Sequence, residues 1–385
     1  MRDRSMRKAE LPGLAAAIRG IEPMHRIGRV DRVDGATVSI AGLGGLPRIG
    51  DRLCLRRRAA PALWGEVIAL SGRDVCMLPE TAPEGVSVGD AVALHPPVRL
   101  APTEGWLGRV IDPDGRPLDG RPLLGGPAPR DPNAAPPPAA RRRGLGARLD
   151  TGIAVFNTLL PIVRGQRIGL FAGSGVGKTR LLGRFARSMA VDVVVVALIG
   201  ERGREVRDFV EAVLGPEGLE RSVVVAATSD RSALTRRRCA WSAMAVAEHF
   251  RDQGLQVLLL ADSITRFAEA HREIAVAAGE LPALRGFPPS TAPAVMALAE
   301  RAGPGTSGVG DITAVFSVLV AGSDMEEPVA DLVRGTLDGH VVLDRAIAER
   351  GRFPAIDLLK STSRSLPEAV SDDENAVIVE VRALL

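Results

Sequence analysis

Between Gln166 and Met189 an apolar run, Gln-Arg-Ile-Gly-Leu-Phe, breaks into Ala-Gly-Ser-Gly-Val-Gly-Lys-Thr and then opens a segment whose Leu181, Leu182, Phe185 and Met189 recur at helical spacing. Strand, glycine-rich turn and helix in that order make a phosphate cradle. Gly173, Gly175 and Gly177 let the backbone bend, so that successive N–H groups from Gly173 through Ser174, Gly175, Val176 and Gly177 face one centre, and the helix beginning near Lys178 adds its positive end. In such a loop Lys178 reaches the β- and γ-phosphates and the Thr179 hydroxyl ligates Mg²⁺. The strict pattern has glycine where this chain has Ala172, so the match is one position short. Lysine occurs elsewhere only at Lys8 and Lys360, while arginine supplies the rest of the positive side chains. A lysine here therefore marks a site that uses a compact point charge rather than a planar fork.

The 385 residues, 46% apolar and 25% charged, suit a soluble globular protein of two or three domains. A net charge of +3 is too small to argue for nucleic acid, and 3% aromatics with no tyrosine removes the stacking platforms of single-strand binders. Cys54, Cys76 and Cys239 are odd in number and lack a C-x-x-C pair, which points to three reduced thiols in a reducing compartment. His25, His95, His249, His271 and His340 show no zinc-ligand spacing. The first apolar run is broken by Pro12 and Arg19, so neither a signal peptide nor a spanning helix is expected, and the chain is read as cytoplasmic.

Residues 1–23 form an amphipathic tail with Leu11, Leu14, Ala15 and Ile18 on one side; it either frays or docks on a partner or an anionic membrane surface. Residues 24–95 read as short strands at Ile27–Val33, Thr37–Ile40, Trp64–Leu70, Val75–Leu78 and Ser87–Leu94, with an Asp34-Gly35 turn, and hence as a small antiparallel β-barrel. Arg56–Arg58 is expected as a solvated face. A phosphate-loop domain then spans 96–365. It contains a Pro-Asp-Gly turn at 113–115 and a proline- and glycine-rich segment at about 125–143 that reads as a flexible linker. The runs Val193–Ile199, Val223–Ala227, Val257–Ala261 and Ile312–Val320 are continuously apolar, as in strands covered on both faces. Helical patterns fill the gaps, one stopping at Gly215-Pro216 and another running from Arg231 to Gly254. The fold class is α/β: a parallel sheet flanked by helices, RecA-like, preceded by the barrel.

A phosphate loop needs an acid at a neighbouring strand end, and Val257-Leu-Leu-Leu-Ala-Asp262 supplies one; Asp262 would hold Mg²⁺, through water. One helical turn on, Arg266 either reaches the γ-phosphate or forms a surface salt bridge. Glu201, past the strand Val193–Ile199, is placed to accept a proton from the attacking water. The alternative is that Glu201 and Glu205 merely pair with Arg202 and Arg204.

The set Ala-Gly-Ser-Gly-Val-Gly-Lys-Thr, Gly-Glu-Arg-Gly-Arg-Glu-Val, Ala-Asp-Ser-Ile-Thr-Arg-Phe with Ala270-His-Arg-Glu-Ile274, Arg285-Gly-Phe-Pro-Pro-Ser290, and Phe353-Pro-Ala-Ile-Asp-Leu-Leu-Lys-Ser-Thr-Ser-Arg364 resembles the ATPases of type III export systems, most closely the flagellar one. These are similar in turn to the catalytic subunits of rotary ATP synthases. The resemblance spans roughly residues 24–380. It implies that Lys178 and Thr179 bind phosphate and Mg²⁺, that Glu201 is the general base, and that Arg202 and Arg266 lie near the γ-phosphate. Asp262 then assists Mg²⁺, Phe353 packs on adenine, and Arg364 is an arginine finger. It further implies a homo-hexamer, a stator-like regulatory protein at the N-terminus, a central stalk protein, export cargo with chaperones, and peripheral association with the inner-membrane export apparatus. Family members continue into a helical carboxyl-terminal domain, so residues 366–385 are expected as its start, either truncated or lacking in this protein.

Two other classes compete. A hexameric RNA-dependent helicase shares a core of this kind preceded by a β-barrel, but residues 24–94 hold Trp64 as their only aromatic. A non-catalytic nucleotide-binding ring subunit would not need Glu201.

Overall fold

The computed structural model describes residues 12–385 apart from 17, 19, 20, 22, 23, 59, 73 and 321–324, so most of the expected N-terminal tail lies outside the described residues. The first strands are β1 (Ile27–Asp34), β2 (Thr37–Ala41), β3 (Arg52–Leu55), β4 (Leu63–Ser71), β5 (Asp74–Pro79) and β6 (Ala91–His95). They close into an antiparallel barrel in the order β1-β2-β5-β4-β3-β6. Alternation puts Val38, Ile40, Leu53, Leu55 and Met77 inside, all fully buried. β3 escapes the sequence reading because it is only four residues long, opens on an arginine and runs into an arginine cluster. The strand expected from Ser87 begins only at Ala91: the Asp90 carboxylate accepts the Ser87 N–H at 2.8 Å and turns the chain there.

The core follows as β7 (Arg109–Ile111), β8 (Arg167–Ala172), α1 (Lys178–Ser188), β9 (Val193–Glu201), α2 (Gly203–Asp208), α3 (Gly215–Glu220), β10 (Ser222–Thr228), α4 (Ala233–Asp252), β11 (Val257–Asp262), α5 (Ile264–Ala277), α6 (Thr291–Arg301), β12 (Ile312–Leu319), α7 (Pro328–Thr336), β13 (Gly339–Leu343), α8 (Arg345–Glu349), β14 (Ile356–Ser363) and α9 (Asp372–Leu384). The eight strands stand in the order β14-β13-β8-β12-β11-β9-β10-β7. Neighbours are parallel except β13 and β14. The strands read as continuously apolar occupy the middle, with Val193 to Ile199 each at most 2% exposed. This places the phosphate-loop strand β8 between β12 and β13, its carboxyl end facing the same side as those of β9 and β11.

One expectation is corrected. The 125–143 segment is no free linker: Arg130 pairs with Asp252 at 2.8 Å, Arg143 with Asp311 at 2.6 Å, and Arg142 donates to the Ala302 carbonyl at 3.2 Å. Its arginines supply the anchoring that its lack of apolar periodicity hid. The stop expected at Gly215-Pro216 is present: Gly215 takes φ +68° and ψ 176° and its N–H bonds back to the Val210 carbonyl, ending the preceding helical segment. α2 continues through wider turns at Phe209–Leu214, and Pro216 enters the first turn of α3, where a missing N–H leaves no bond unmade.

A buried charge cluster joins barrel to core. Arg238 of α4 is 5% exposed and donates to Glu66 of β4 and, at 2.6 Å, to Asp114; Arg52 of β3 reaches Asp114 at 3.2 Å and Glu80 at 3.3 Å. At the other end Ser371 caps α9, accepting the Glu374 N–H at 3.2 Å, and Arg148 holds Glu374 at 2.6 Å. Among the described residues no helix is long and apolar enough to cross a membrane.

Candidate functional site

At the carboxyl ends of β8 and β9 a cavity of about 920 Å³ is lined by the glycine-rich turn, Lys178, Thr179, Glu201, Arg202, Glu205, Arg266 and Phe353. The turn takes its shape from left-handed φ values of +80° at Gly175 and +92° at Gly177, with Val176 buried at 2% as its anchor. The ring of Phe353 lies over Gly177, so close that a Cβ there would meet it at 3.2 Å. Ser174 and Gly175 are exposed, and Gly173 is half-buried. Sequence reasoning thus drew together residues from four separate segments that do share one cavity.

Lys178 Nζ lies 2.5 Å from Asp262 Oδ1. Asp262 is 3% exposed, and Ser317 Oγ on β12 donates to the same Oδ1 at 2.6 Å. Asp262, Thr179, Glu201 and Glu205 also line a smaller cavity of about 200 Å³ beneath the loop. Among the described residues no group of three or more acidic, histidine or cysteine side chains could hold a metal by itself, and the donor set left is the Thr179 hydroxyl with the Asp262 carboxylate. It fits Mg²⁺, which takes one or two carboxylates together with phosphate oxygens rather than a full protein cage.

Glu201 ends β9, and its carboxyl is pushed up to about 8, first by burial, then by its hydrogen bond with Glu205 and by the charge of Asp262. Glu205 is held below the usual carboxylate range, chiefly by that same hydrogen bond. The two shifts run in opposite directions, which makes Glu201 the more readily protonated carboxyl of the two. Of the pairings weighed from sequence, Arg202 meets Glu205 only at 3.8 Å with its side chain 82% exposed, and Arg204 turns to Asp208 at 3.6 Å.

Arg266 sits in the first turn of α5, whose Ser263 cap accepts its N–H at 3.3 Å. Its guanidinium donates to Glu269 at 2.9 Å, while its Nε is buried without a partner. The salt bridge and the cavity position therefore coexist. Arg364 lies elsewhere: it is exposed, donates to the Arg334 carbonyl at 3.4 Å and does not line the cavity. Among the described residues it forms no ion pair, so neither Asp357 nor Glu368 holds it; Asp357 is taken by Lys360 at 2.9 Å.

Ser317 was missed, although a lone serine inside the apolar run Ile312–Leu319 is the mark of a buried polar contact. Thr265, inside the Ala-Asp-Ser-Ile-Thr-Arg-Phe segment but given no role there, and Glu327, outside every quoted motif, also line the cavity. Thr265 Oγ1 accepts the Leu319 N–H at 2.9 Å, tying α5 to the end of β12.

Residues 152–363 match the family described as the ATP synthase alpha/beta family, nucleotide-binding domain. The flagellum-specific ATP synthase of Caulobacter vibrioides is 46% identical over 381 residues, covering 97% of this chain and 85% of that protein. The type 3 secretion system ATPase of Xanthomonas euvesicatoria is 43% identical, covering 94% and 81%. Among solved structures, the assembled ATPase EscN of the enteropathogenic E. coli type III secretion system aligns with TM-score 0.85 and 38% identity over 93% of this chain and 85% of that one. The same ATPase in complex with its central stalk EscO aligns at TM-score 0.83.

Proposed function

The chain belongs to the ATP synthase alpha/beta family, among its flagellar and type III secretion ATPases, and from that premise we propose that it is the ring-forming ATPase that energises protein export through such an apparatus. ATP is its substrate. The observation that carries the reading is the convergence of the glycine-rich turn, Lys178 and Glu201 on one cavity, with Asp262 held against the Lys178 ammonium at 2.5 Å.

In this reading the backbone N–H groups from Gly173 to Gly177 and the Lys178 ammonium hold the triphosphate, and Phe353 packs against adenine. Thr179 and Asp262 hold Mg²⁺, which when bound neutralises charge on the β- and γ-phosphates. Glu201, once ionised, accepts the proton of the attacking water at its carboxylate. Glu205, beside it in the same cavity, tunes the acidity of that carboxyl. Arg202 and Arg266 face the γ-phosphate end of the cavity. Arg364, away from its own subunit's loop, acts on the neighbour's site as an arginine finger, which makes the working form a ring. We take that ring to be a homo-hexamer, as the assembled relative suggests, with a central stalk partner of the kind solved with that relative. A stator-like regulator at the N-terminus, cargo with chaperones, and a cytoplasmic position peripherally associated with the inner-membrane export apparatus complete the proposal.

The test is an ATPase assay of the purified chain with and without single-stranded RNA. RNA-independent phosphate release, abolished by EDTA, supports the export reading; turnover that appears only with RNA supports the helicase class, and binding without turnover the non-catalytic one.

A further inference from the structure

Arg180 stands on the first turn of α1, two residues beyond Lys178, and the chemistry above leaves it unused. It is exposed, and among the described residues its side chain makes no hydrogen bond or ion pair. That first turn holds no acidic residue. A second cation beside Lys178 at the positive end of the helix is unfavourable there unless an electron-rich group comes to meet it.

Two cavities meet at this residue. Gly177, Arg180 and Phe353 line both the cavity of about 920 Å³ that contains the phosphate loop and an adjoining one of about 520 Å³, whose other walls include Leu181, Val213 and Pro354. The first takes a triphosphate, so the nucleoside crosses at Gly177 into the second. Phe353 lies against Gly177 yet remains 57% exposed, which leaves an aromatic surface open in the cavities that Arg180 also lines.

Resting on the nucleotide reading above, we propose that Arg180 is the second jaw of a base clamp: its guanidinium stacks on the face of the base opposite Phe353. A guanidinium is planar, delocalised and weakly hydrated, and stacks on aromatic faces as lysine cannot. Stacking reads ring area rather than a hydrogen-bonding edge, so the clamp favours purine over pyrimidine nucleotides.

The experiment is isothermal titration calorimetry on the full chain with Mg²⁺, comparing ATP, CTP and inorganic tripolyphosphate for the natural protein, Arg180→Met and Arg180→Lys. Arg180→Met should weaken ATP about tenfold and leave tripolyphosphate within about twofold, the range expected of one desolvated cation–aromatic contact. Arg180→Lys should fail to restore ATP, and in both variants the preference for ATP over CTP should shrink. Equal losses for ATP and tripolyphosphate, or rescue by lysine, would place the guanidinium on the phosphates and overturn the clamp, as would an unchanged ATP affinity. If the natural protein binds tripolyphosphate and ATP equally, the clamp fails while the phosphate site stands; if it binds neither, the nucleotide reading fails first and the clamp with it.

Discussion

Lys178 Nζ and Asp262 Oδ1 lie 2.5 Å apart, and the Ser317 hydroxyl donates to that same oxygen at 2.6 Å. The contact links the loop's only lysine to the end of β11, and it makes substitution of either residue a question of stability as well as of binding.

Lys178→Ala should lose MgATP binding and turnover together, because the ammonium compensates phosphate charge in ground and transition states alike. It also leaves Asp262, 3% exposed, with Ser317 as its one remaining donor, a cost of about 1–3 kcal/mol. Calorimetry should show no MgATP binding while the circular dichroism melt stays cooperative at a lower Tm. Loss of the cooperative transition would make the defect structural, and unchanged affinity would remove Lys178 from the site.

Glu205 governs the pH dependence. Glu201 is raised to about 8 by burial, by its hydrogen bond with Glu205 and by the charge of Asp262, so it is protonated at lower pH and cannot act as a base there. kcat/KM should therefore fall as pH drops through about 8. Glu205→Ala removes one cause of the elevation, so the acidic limb should move to lower pH. A limb that stays in place, or moves up, would show that another group controls it.

Much of this was legible from residues that obey one strong constraint each. A strand buried on both faces must be continuously apolar, and that exposed β9, β10, β11 and β12; the glycine spacing exposed the loop. β7 and β13 were not legible because three and five residues give too little periodicity, and β14 because its exposed middle breaks the apolar run. The barrel-to-core charge cluster was hidden for another reason. Arg238 and Glu66 are buried and Asp114 half-buried, their partners lie far apart in sequence, and only the fold brings them together. In the site, Glu201 was singled out by its place at a strand end, whereas its raised pKa depends on burial and on how α2 brings Glu205 beside it.

Arg364 tests the assembly. Its side chain is exposed and away from the cavity of its own subunit, so its effect on turnover should act across an interface. Specific activity should rise with protein concentration, and Arg364→Ala should bind MgATP yet turn it over about 10³-fold more slowly. Mixing Arg364→Ala with Lys178→Ala should restore part of the activity, because some interfaces then join an intact loop to an intact finger. No recovery in rings shown to be mixed, or full activity of Arg364→Ala alone, would refute a finger acting in trans.

The central claim is that this cavity hydrolyses ATP with Glu201 as the base, and Glu201→Gln tests it most directly, since the amide keeps the shape but cannot accept the proton. The measurement pairs steady-state phosphate release with MgATP affinity on the same preparation. The account predicts phosphate release at least about 10²-fold below the natural protein with affinity within a few-fold; near-natural turnover by Glu201→Gln would contradict it.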